Sequence, residues 1–129
     1  MSALTSKAVD RANIIAVVGA SNDVAKYGCI IYEFLRSAGY RVYPINPREE
    51  FILGDRAYPD IGSLPEKPDV LNVVTQPQVT EVIIDEAAAQ NIGIVWLQPG
   101  SESAAAIARA RELGIDLIHN ACIMRECSG

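Results

Sequence analysis

Ile14 to Val18 form an unbroken β-branched and small apolar run that stops at Gly19. A run without polar alternation suits a strand covered on both faces, which a lone hairpin or an open antiparallel sheet does not provide. After the turn, Ile30, Ile31, Phe34, Leu35 and Ala38 recur at spacings of three and four, and Gly39 follows as a stop. These residues predict a helix lying on the sheet. Arg41 to Ile45 then reads as a second strand, closed by Asn46-Pro47. A strand, a helix and a second strand of this combined length make a β-α-β unit with parallel strands and a right-handed crossover.

The same alternation continues. Arg48 to Asp69 is broken by glycines and prolines and is expected to be irregular, with a small strand at Ala57-Tyr58. Val70 to Val74 predicts the third strand, and Pro77 opens a helix with Val79, Val82, Ile83 and Ala87 on its buried face. Ile94 to Leu97 is the fourth strand. An Ala-rich helix from about Ser103 to Leu113 and a short fifth strand, Asp116 to His119, complete the pattern. The expected fold is α/β: a Rossmann-like, doubly wound, parallel five-stranded sheet with helices on both faces, in one domain over residues 1–129 with its core at about 14–126. The expected strand order is 3-2-1-4-5, with a ligand cleft between the first and fourth strands beside Gly19.

Half of the residues are hydrophobic but only two are Phe and one is Trp, so Ile, Val, Leu and Ala must fill the core. Trp96 is expected there, beneath a helix of small alanines. The net charge of −5, without a basic run, opposes nucleic acid as a partner. No stretch approaches the roughly 20 apolar residues of a membrane span. Cys29, Cys122 and Cys127 are odd in number and form no CxxC pair, which argues against a disulfide framework or zinc site and fits a reducing cytoplasm.

In such folds ligands bind outside the carboxyl ends of the strands, which selects the loops starting at Gly19, Asn46, Thr75, Gln98 and Asn120. The first is the most informative. Gly19, Ala20 and Ser21 let a main chain approach a pyrophosphate closely, and the helix that follows offers unpaired N–H groups and a positive dipole end. The loop is longer than GxGxxG and lacks its middle glycine, and a plain tight turn also accounts for Gly19. At the end of the second strand an NAD site wants an acidic residue, and Asn46-Pro47-Arg48 stands there instead. Arg48 suits a phosphate on the adenosine ribose, whether the 3′-phosphate of coenzyme A or the 2′-phosphate of NADP, or it is a solvated loop residue.

The strings VVGASND…KYG, VYPINP, VWLQPG and CIM, in this order from about Ile14 to Glu126, resemble the small stand-alone CoA-binding protein family, related to the N-terminal domain of the succinyl-CoA synthetase alpha subunit. The resemblance implies that the chain holds coenzyme A, with the phosphates near Gly19, Ala20 and Ser21. It places the adenosine end near Asn46, Pro47 and Arg48, and has Thr75, Gln76 and Pro77 cover the nucleotide from the other side. The synthetase's second domain, which bears its phosphorylated His, has no counterpart here, so no catalytic role carries over.

Lys26 and Tyr27, at the start of the first helix, either reach phosphate or adenine or face water. Gln98 lies in a strand-end loop within reach of a ligand. Cys122, just past the fifth strand, is either a thiol poised to exchange with that of CoA or a small buried hydrophobe. The lone His119 receives no role. With no acid–base pair, metal cluster or activated nucleophile at the strand ends, the chain reads as a binding module for CoA or an acyl-CoA. An NADP-dependent reductase and a regulatory nucleotide-binding subunit acting with a protein partner are the competing readings, and a homo-oligomer is compatible with any of them.

Overall fold

A computed structural model describes residues 2–127. Its centre is a five-stranded, fully parallel sheet of β1 (Ile14–Val18), β2 (Arg41–Ile45), β5 (Val70–Val73), β6 (Ile94–Leu97) and β7 (Asp116–Ile118). Between β2 and β5 the chain makes a two-stranded hairpin, β3 (Phe51–Ile52) and β4 (Asp55–Arg56). The expected strand at Ala57-Tyr58 is only a single bridge from Tyr58 to Ile45.

The helices fall on two faces. One face carries α1 (Ala3–Ala8), α2 (Tyr27–Ser37) and α5 (Ile123–Cys127), whose Ala8, Ile31, Leu35 and Ile123 pack on Ile15, Val17 and Trp96. The other carries α3 (Pro77–Ala89) and α4 (Ala104–Glu112), whose Ile84, Ala87, Ala106 and Ala110 pack on Ala16, Leu71 and Val95. Each inner strand thus supplies alternate residues to two cores, which is why its sequence reads as continuously apolar.

The strand order is β2-β1-β5-β6-β7, or 2-1-3-4-5 counting only this sheet, and not the expected 3-2-1-4-5. The difference has a local cause. Pro44 lies within β2 and brings no N–H, so β2 belongs at an edge, whereas the expected order would have put a partner on both its sides. The chain therefore returns across the α3–α4 face, where Ile61 and Leu64 pack, and lays β5 on the free side of β1.

Two further expectations change. Helix α3 buries Thr80, Ile84 and Ala87 and leaves Val79 and Val82 exposed. Its sequence carries apolar residues on more than one face, so periodicity alone could not choose. Thr80 tolerates burial because its hydroxyl is 2.7 Å from that of Thr75. The N-terminal segment, outside the expected core of 14–126, forms α1, capped by Ser2 and tied down by the Asn13 amide, which donates to the carbonyls of Lys7 and Ala8 at 2.7 and 3.0 Å.

Candidate functional site

The sheet changes winding direction between β1 and β5, and a cleft opens at their carboxyl ends. It lies beside Gly19 as expected, but its second wall is β5 and the following Val74 and Thr75, the third strand of the sheet rather than the fourth. Gly19 has a φ of +93°, and a Cβ there would collide with the Val74 carbonyl oxygen and lie 2.9 Å from its carbon. A Cβ on Gly28 would collide in turn with the Gly19 carbonyl. The two glycines pack the loop against β5 and against the start of α2, and neither position has room for a side chain.

The loop's donors divide into two sets. Gly19 N–H donates to the Ile45 carbonyl at 3.1 Å, Asp23 N–H to Ser21 Oγ at 3.0 Å, and Lys26 N–H to the Asp23 carbonyl at 2.9 Å. Those of Ala20, Ser21, Tyr27 and Gly28 have no protein acceptor among the described residues. The last two are the first N–H groups of α2, whose N-cap Lys26 supplies no side-chain acceptor. Ser103, by contrast, caps α4 with its own hydroxyl. The α2 terminus thus presents open donors and the positive dipole end to the cleft.

The cleft has three compartments. The central one, about 530 Å³, is lined by Gly19, Ser21, Lys26, Tyr27, Thr75 and Gln76 and bordered by Asn46. Beyond Asn46 and Gly19 lies a compartment of about 310 Å³ that takes in Pro47 and Arg48. Toward α5, Tyr27, Gln98 and Cys122 line a third of about 210 Å³. Ala20 is fully buried in the α2-side core and lies outside the lining. Pro77 is the first residue of α3 and stands behind Gln76 rather than in the lining.

Some of these side chains are held by the protein itself. The Asn46 amide donates to the Ala20 carbonyl at 2.8 Å and accepts from Arg48 N–H at 2.8 Å, so it ties the first loop to the second. Gln98, almost wholly buried, accepts from Ile123 N–H at 2.9 Å and from the Asn72 amide at 3.2 Å, and donates to Cys122 Sγ at 3.4 Å. Asn72 escaped the sequence reading, although an Asn inside a four-residue apolar strand was a visible anomaly. Asn22 fastens the hairpin to the loop: its amide accepts from Leu53 N–H and donates to the Phe51 carbonyl, each at 2.8 Å. The hairpin is also held to α2, where the Tyr32 hydroxyl donates to Asp55 at 2.6 Å. Burial and that bond raise the tyrosine's pKa well above its ordinary value, and the same bond, aided by Arg36, lowers that of the Asp55 carboxyl.

A doubly wound α/β domain with open donors at a strand-to-helix turn defines a Rossmann-like ligand-binding class. The chain belongs to the CoA-binding domain family, whose model matches residues 13–128. It is 33% identical over 88 residues to the alpha subunit of an ADP-forming acetate–CoA ligase II of Pyrococcus furiosus, an alignment that covers 67% of this chain and 19% of the ligase subunit. The chain therefore spans about a fifth of that relative. Among solved structures it resembles a conserved hypothetical protein of Pyrococcus furiosus, at 37% identity and a TM-score of 0.85 over 88% of this chain and 98% of that one. A Thermus thermophilus protein matches at 32% identity and a TM-score of 0.87, over 99% of this chain and 98% of that one.

Proposed function

We propose that this protein binds coenzyme A or an acyl-CoA in the three-compartment cleft and holds it without transforming it. The observation that carries the reading is the set of unpaired N–H groups of Ser21, Tyr27 and Gly28 in the cleft lining, beside the α2 dipole, in a member of a CoA-binding family. In this reading the pyrophosphate lies on those donors, adenosine fills the compartment beside Arg48, and the pantetheine arm runs past Tyr27 so that its thiol comes near Cys122. NADP is less suited, because the family to which the chain belongs is one of CoA-binding domains. Calorimetric titration with CoA, acetyl-CoA, NAD and NADP in parallel tests it. Heat from CoA alone or with acetyl-CoA is expected, and tight binding of either nicotinamide cofactor without CoA would overturn it.

Arg48 is exposed and makes no ion pair among the described residues, which fits a guanidinium awaiting a ligand phosphate. Arg48→Ala is expected to weaken CoA about ten- to hundredfold, the loss of one charge-assisted pair of about 1.5 to 3 kcal/mol. Dephospho-CoA lacks the ribose phosphate and should lose little. Equal losses for both ligands would place Arg48 elsewhere.

A further inference from the structure

Val24, Ile30, Phe34, Leu53 and Met124 line an open groove of about 640 Å³ over α2, between the β3–β4 hairpin and α5. Val24 and Ile30 are exposed, so aliphatic surface lies open to water there. The polar side chains of the lining are already tied to one another. Arg36 pairs with Glu33 and donates to Asp55 at 2.9 Å and to the Leu53 carbonyl at 3.1 Å, while Ser37 Oγ donates to Glu33 Oε1 at 3.0 Å. On the hairpin, Leu53 N–H and the Phe51 carbonyl are taken by Asn22. The groove therefore offers apolar surface with its two charges mutually paired, which suits an occupant that brings no hydrogen-bonding groups of its own.

The near end of the groove adjoins the third compartment of the cleft. Tyr27 lines that compartment, and Ile30 lines the groove three residues later, on the same stretch of helix surface. Cys122 and Met124, two residues apart at the entry to α5, divide between compartment and groove in the same way. A chain attached to a pantetheine thiol beside Cys122 leaves the cleft over Tyr27 and meets Ile30 and then Phe34, along a helix that rises about 15 Å from Tyr27 to Ser37. A protein partner would instead bring polar rim groups, for which the paired lining keeps no free partners. We infer that the groove takes the hydrocarbon chain of a medium-chain acyl-CoA. The inference rests on the cleft reading above and adds the class of acyl group.

The test is a calorimetric chain-length series of CoA, acetyl-CoA, butanoyl-CoA, hexanoyl-CoA and octanoyl-CoA. A fully buried methylene tightens binding about fourfold, and an open groove covers about half of each, so affinity should rise about twofold per methylene and roughly sixtyfold from acetyl- to octanoyl-CoA. Val24→Ser combined with Ile30→Gln makes the groove polar at two exposed positions outside the cleft lining. The double variant should flatten the series while CoA and acetyl-CoA bind as they do to the parent. An equal affinity of the parent for every chain length overturns the inference, and so does a slope that the double variant retains. Sedimentation that shows the parent pairing with concentration, and the double variant not, assigns the groove to a second copy and overturns it as well. If CoA and acetyl-CoA bind without any rise along the series, this inference alone fails; if CoA itself does not bind, the cleft reading fails with it.

Discussion

Gly19→Val is expected to destabilise the domain by about 2 to 5 kcal/mol, so that a loss of ligand binding that accompanies it reports disturbed folding at the turn as well as lost phosphate contact. A small side chain at this turn looks like a clearance for a ligand, and from that view the variant should stay folded. The space is instead filled by the protein: a Cβ at Gly19 meets the carbonyl of Val74, and the φ of +93° is strained for any branched residue. Strain of about 1 to 2 kcal/mol joins an overpacking cost of about 1 to 3 kcal/mol. Together they are a large share of the roughly 5 to 15 kcal/mol that holds a domain together. Urea unfolding followed by circular dichroism checks this; a parent-like midpoint would mean that β1 and β5 do not approach as described. A cleaner probe of the donors is Tyr27→Pro. Residue 27 is the first of α2 and Lys26 before it is extended, so proline fits the backbone and deletes one open N–H. With Tyr27→Ala as the side-chain control, the proline variant should bind CoA more weakly at unchanged stability.

Trp96→Ala is expected to cost about 3 to 5 kcal/mol, the second large effect. The ring is wholly buried against the α2–α5 side of the sheet, and its Nε1–H donates to the Ala121 carbonyl at 2.8 Å. Truncation opens a cavity under α5 and frees the segment that carries Cys122. Trp96→Phe separates the two contributions, since it keeps most of the volume and loses only the bond, for about 0.5 to 1.5 kcal/mol. Chemical denaturation of both variants checks the prediction. An alanine variant no less stable than the phenylalanine one would show that packing at this site is not what holds α5 in place.

The sequence alone determined the existence and sense of the five strands of the main sheet, because burial on both faces leaves an unbroken apolar run that local reading detects at Ile14–Val18 and Ile94–Leu97. It also located the turn at Gly19 and the carboxyl-edge loops, since a strand-to-helix turn needs small and capping residues in any tertiary setting. The neighbours of each strand were decided by long-range pairing, which alternation does not encode. Pro44 was the one local sign that β2 is an edge. Tertiary structure also decided what each polar residue does. Asn46 and Gln98 look like ligand contacts in one dimension, yet their amides bridge segments more than twenty residues apart, because a buried polar group takes the partner that folding brings to it. Gly19 followed the same logic: its backbone freedom was legible, but only the approach of β5 showed that the space beside it belongs to Val74.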